Sequence, residues 1–121
     1  MEVNNNLEVI SSLIDEEKYE EAFSKCNSLI SDNNDLYEKI TWCLIKQKII
    51  QLLFDKNPYL SDELIPTIKS HINDDVNFVK ELTLRSNISG DVMGLSKEYM
   101  KLHTANTESL EIIIGKPSKQ L

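Results

Sequence analysis

The segment that most constrains this chain is DLYEKITWCLIKQKIIQLLFDKN, residues 35–57. Wound at about 100° per residue, Leu36, Ile40, Cys43 and Phe54 point one way. Ile45, Ile49 and Leu52 point nearly the opposite way, with Trp42 and Leu53 beside them, and polar residues fill narrow strips between. A helix that is apolar on two sides has to be packed by neighbours on both. The pattern predicts a central helix over Leu36–Phe54, opened by Asp35 as its cap, with the rest of the chain arranged around it.

The remaining segments supply those neighbours. Leu7, Ile10, Leu13 and Ile14 predict a short first helix, with Asn4–Asn6 as capping residues. Tyr19, Ala22, Phe23, Cys26, Leu29 and Ile30 form the stripe of a second, which SDNND at residues 31–35 ends. After the central helix, Pro58 marks a break and Ser61 is placed to cap a helix carrying Leu64, Ile65, Ile68 and Ile72. Pro66 belongs in its first turns, where a missing N–H costs nothing, or at a kink. Asn73–Asp75 read as turn and cap together. A fifth helix on Val79 and Leu82 fails near Asn87–Gly90, and a sixth carries Val92, Leu95, Tyr99 and Leu102. Three glycines and three prolines in 121 residues supply few of the turns that a β-protein needs. The expected class is therefore all-α: five or six antiparallel helices stacked as hairpins, in a repeat-like or irregular bundle.

The expected organisation is a helical domain over residues 1–105 and an apolar segment with a tail over 106–121. In the latter, Asn106 or Thr107 can cap a two-turn helix that Gly115 and Pro117 would stop. The consecutive β-branched residues Ile112, Ile113 and Ile114 favour a strand instead. Either form leaves an apolar segment that this chain or another has to cover.

Charge is distributed unevenly. Residues 1–38 hold ten acids and two lysines, a net charge of −8, whereas the remainder holds ten acids and eleven bases. An acidic end repels phosphate backbones, which argues against nucleic acid as a partner. The start, MEVNNNLEVI, has no basic region leading into an apolar run, and no stretch is long and apolar enough for a membrane span. Cys26 and Cys43 form no metal-ligand pattern with His71 and His103, and Cys26 sits on an apolar stripe. These features fit a reduced, cytoplasmic protein with no cofactor or metal.

Two stretches resemble helical repeats. EEKYEEAFSKCNSLI, residues 16–30, resembles the second helix of a tetratricopeptide repeat, with Tyr19, Ala22, Cys26 and Leu29 at the positions that pack on the preceding helix. ELIPTIKSHINDDVNFVK, residues 63–80, resembles a HEAT repeat through Pro66, Asp74, Val79 and Lys80, with lysine in place of the family's arginine. That resemblance implies a buried Val79 and an Asp74 that caps the following helix through backbone amides. In size, acidity and helix count the chain is also similar to the small tetratricopeptide-like chaperones of type III secretion.

His71 and His103 stand alone in helical patterns, neither glycine-containing stretch makes a phosphate loop, and Glu16, Glu17, Glu20 and Glu21 read as solvated charges. The expectation is a non-catalytic interaction protein, an adaptor or assembly subunit that buries a partner's helical segment. Its alternatives are a small chaperone for an aggregation-prone helical subunit, and an acidic regulator or inhibitor of a basic protein. Self-association is another way to cover a bare end face. The candidate contacts are the aromatic anchors Tyr37 and Trp42, the apolar Leu110, Ile112, Ile113 and Ile114, and the acidic Glu16, Glu17, Glu20 and Glu21.

Overall fold

Asp35 opens the central helix as expected. In a computed structural model that describes residues 2–56 and 63–115, its Oδ1 accepts the N–H of Tyr37 at 3.0 Å, and its carbonyl takes the N–H of Lys39. The chain is all-α, and six helices occur among the described residues: α1 (Glu2–Asp15), α2 (Tyr19–Asp32), α3 (Leu36–Lys56), α4 (Leu64–Asn73), α5 (Val76–Leu84) and α6 (Gly90–Gly115). Pro58, Ser61 and Pro117, expected to break or cap helices, lie outside the described residues.

The helices pass up and down around α3. Helices α1, α2 and α3 follow one another through tight turns. Lys46 meets Asp75 while Lys39 Nζ lies 5.4 Å from the Phe78 ring, so α5 runs back along α3 in the opposite sense. Gln47 reaches the carbonyl of Ile72, which places the end of α4 at the same level. Helices α4 and α5 thus make one broken return pass, bent at Asp74–Asp75. Helix α6 then turns back after α5 and packs on both α5 and α3, which sets it parallel to α3.

The core gathers Ile10, Phe23, Cys26, Trp42, Ile50, Ile68, Val79 and Tyr99 from all six helices. Burial of α3 extends over most of its circumference, as a two-sided helix requires. Pro66 sits in the first turn of α4, where the helix has no bond for it to break.

Three sequence expectations are corrected, and one cap is new. Asn4–Asn6 do not cap the first helix, because α1 already begins at Glu2. The segment after residue 105 is neither a strand nor a separate two-turn helix. Helix α6 continues through Asn106 and Thr107 to Gly115, and Ile112–Ile114 are helical. The β-branched penalty there is a few tenths of a kcal/mol per residue. It is overcome because Leu110 is buried and Ile113 packs on the core. Asp74 does not cap α5: its carboxylate accepts Lys46 Nζ at 3.0 Å and Ser70 Oγ at 3.4 Å, and no side chain closes the start of α5. Lastly, α6 gains an unforeseen cap, Ser89, whose Oγ accepts the N–H of Val92 at 3.2 Å.

Candidate functional site

Three consecutive residues of α3 explain how its surroundings are fixed. Lys46, Gln47 and Lys48 are each turned about 100° from the last, so each faces a different neighbour. Lys46 is fully buried, and its ammonium donates to Asn27 Oδ1 at 2.7 Å and Asp74 Oδ2 at 3.0 Å, with Asp75 Oδ2 at 3.4 Å. This joins α2 and α3 to the α4–α5 bend. Burial raises the Asp75 carboxyl above its usual range, and the charge of Lys46 opposes that rise.

Gln47 is also fully buried and holds α3, α4 and α6 in register. Its Nε2 donates to the Ile72 carbonyl at 3.0 Å and to the Tyr99 hydroxyl at 3.3 Å. In return, Asn106 Nδ2 donates to the Gln47 carbonyl at 2.9 Å and to its Oε1 at 2.8 Å. A buried amide pair satisfied on both sides fixes one alignment of two helices, since any slip would strand polar groups without partners.

Lys48 is exposed, and it marks the open side of α3. With the two helices clamped parallel by Gln47 and Asn106, a groove remains between them on this side. Leu44, Lys48 and Gln51 line one wall, and Glu98, Lys101, Leu102 and Ala105 the other, around an open depression of about 330 Å³. Helical spacing extends the same lines. Tyr37 lies seven residues before Leu44, and Ile112 seven after Ala105, so both continue the faces that border the groove. Tyr37 is 49 % exposed and Ile112 62 % exposed.

Comparison with protein-family models, with curated proteins and with solved structures found no match.

The expected contact residues separate into distinct places. Tyr37 and Ile112 are exposed and lie outside the groove lining, one heptad along the helices from Leu44 and Ala105. Trp42 is 1 % exposed and is a core residue, so it offers no anchor to a partner unless the bundle opens. Leu110 is buried and Ile113 partly so, both facing inward, whereas Ile114 is exposed on the last turn of α6. Glu16, Glu17, Glu20 and Glu21 are exposed around the α1–α2 turn. There Glu17, Glu20 and Glu21 edge a second depression that also holds Tyr19 and Leu64. Lys18 Nζ lies 3.3 Å from Glu16 in an exposed pair worth little.

The titratable groups inside the bundle are closed off. Burial pushes the Cys26 thiol up to about 12 and raises Cys43 and Tyr99 as well. His71 stacks on Phe23 with ring centroids 4.2 Å apart. Its Nδ1 is buried and stands 3.5 Å from Asp74 Oδ2, too far for a good hydrogen bond. Burial, and secondarily the charge of Lys46, lowers the basicity of His71. His103 Nε2 lies 3.3 Å from Asn73 Oδ1, and burial lowers its basicity too. Among the described residues, no group of three or more acidic, histidine or cysteine side chains is arranged to hold a metal ion. No described helix is long and apolar enough to cross a membrane.

The groove was missed in the sequence for a definite reason. Lys48, Gln51, Lys101 and Ala105 are ordinary surface residues on their own helices. They become walls only once α6 lies parallel to α3, and that depends on Gln47 and Asn106, which are 59 residues apart. In the sequence Gln47 stands between two lysines and reads as one more residue of a polar strip.

Proposed function

We propose that this chain is a non-catalytic protein–protein interaction module, an adaptor or subunit of a larger assembly, and that it receives a helical segment of another protein in the α3–α6 groove. The observation that carries this reading is the open depression between α3 and α6, whose apolar lining is Leu44, Leu102 and Ala105. An amphipathic helix recognised in a groove lays its apolar face on such a lining. Two walls held in fixed register need no rearrangement to receive it, which lowers the entropic cost of binding. Holding an aggregation-prone subunit, as a small chaperone does, is one use of such a groove.

The test is a photo-crosslinking residue in place of Ala105, with one in place of the exposed Ser24 on α2 as a control, in the protein's own cells. The expected result is a discrete covalent adduct with one protein from position 105 and none from position 24. Equal adducts from both positions, or none from either, would rule the groove out.

Regulation of a basic protein is a second reading, favoured by the depression that Glu17, Glu20 and Glu21 edge around Tyr19 and Leu64. Binding there would weaken steeply with ionic strength, and neutralising the three glutamates would abolish it.

A further inference from the structure

The groove carries information about the charge of what it accepts. Lys48 stands on one wall and Lys101 on the other, beside the apolar Leu44, Leu102 and Ala105, with Glu98 the lone acid of the lining. We infer that the segment received between α3 and α6 is an acidic amphipathic helix, with apolar anchors on its inner face and carboxylates on both flanks to meet the two lysines. This rests on the proposed function and adds the partner's chemistry to it.

Three features support an acidic occupant in a protein of net charge −7. The excess acid belongs to residues 1–38, and α1 packs on α2, which lies against α3 away from the groove. A helix is about 10 Å across and the screening length in physiological salt is about 8 Å, so the charges lining the groove outweigh the distant ones. Lysine stems lie along apolar walls while their ammonium groups reach outward, which sets them where the flanks of a seated helix would be. A basic helix in the same place would bring like charges against both walls, and such juxtaposition costs affinity directly. The geometry also fixes the partner's spacing. Leu44 and Gln51 are two turns apart, about 10 Å along the axis, so two anchors seven residues apart span the lined stretch.

The experiment uses the full chain and two labelled synthetic helices, read by fluorescence anisotropy. One helix has leucine along one face and glutamate on both flanks. The other is the same sequence with lysine in place of glutamate. The glutamate helix should bind at least about tenfold more tightly. Lys48→Glu with Lys101→Glu should reverse that preference, and Ala105→Arg should weaken both peptides by filling the groove. All three positions are exposed, and circular dichroism checks that the variants stay folded. Lys48→Gln with Lys101→Gln, expected to erase the preference, replaces the charge reversal if that perturbs the fold.

Equal or tighter binding of the lysine helix would overturn the inference, as would no binding of either peptide or a preference indifferent to the lysines. So would light scattering that finds a dimer which Ala105→Arg dissociates, since a second copy would then be the occupant. The two proposals fail separately. A cellular crosslink from position 105 without binding of the glutamate helix would leave the module standing and remove its charge preference.

Discussion

Glu17 has φ of 61°, in the left-handed region that L-residues avoid. It is held there by the end of α1: the N–H of Glu17 reaches the Ile14 carbonyl at 2.9 Å and that of Lys18 the Leu13 carbonyl at 2.8 Å. This is the paired closure usually made with glycine. Side-chain crowding costs roughly 1–2 kcal/mol at such a position, and glycine's extra chain entropy returns up to about 1 kcal/mol of it. Glu17→Gly should therefore stabilise the chain by about 0.5–1 kcal/mol, seen as a higher urea midpoint with an unchanged slope. A lower midpoint would mean that the glutamate makes a compensating contact. Lys46 teaches a related lesson. In sequence it is one more lysine in a polar strip, yet its ammonium is wholly enclosed by Asn27, Asp74 and Asp75. Residue type alone predicts a surface position, and three partners from two other places in the chain reverse it.

At the scale of the element, α3 and α6 behave differently. The two-sided apolar pattern of α3 and its Asp35 cap were plain in the sequence, because both are local. The unbroken course of α6 was not. Its local signals conflict: Gly94 sits inside it, Asn106 and Thr107 look like a fresh start, and three isoleucines favour a strand. Asn106 resolves the conflict by pairing with Gln47 instead of capping, which continues the helix and seats it on α3. Asn106→Ala removes both bonds and leaves the buried Gln47 Oε1 without this donor. The expected loss is about 2 kcal/mol in denaturant unfolding, in the range for stranding a buried polar group. The same change should weaken binding in the groove, since it loosens one wall against the other. A loss under a few tenths of a kcal/mol would mean that water replaces the asparagine amide.

At the scale of the molecule, two histidines set the response to mild acid. His71 and His103 are both less basic in the folded chain than the usual 6.5, chiefly through burial. The unfolded chain therefore takes up protons first, and stability should fall as pH drops through about 6.5. Asp75 acts in the opposite sense. Its raised carboxyl binds a proton more readily when folded, which adds stability as pH falls further, toward and through its raised value. Unfolding midpoints measured from pH 7.5 to 5 should decline in the native chain and stay nearly level in a His71→Gln, His103→Gln variant. An equal decline in both would place the titration elsewhere.

What the sequence determined by itself was local: helix class, most of the helix ends, the two-sided α3, and the concentration of net negative charge in the first third. These follow from spacing and from residues a few positions apart, which a chain expresses before it folds. The tertiary structure decided what depends on distant residues meeting. It enclosed Lys46 and Gln47, withdrew Trp42 into the core, carried α6 through its isoleucines and laid it parallel to α3. The groove follows from that last step. Its wall residues lie some fifty positions apart, and no local preference encodes their meeting. It arises because packing α6 to satisfy one buried amide pair leaves a strip beside the contact open on both helices.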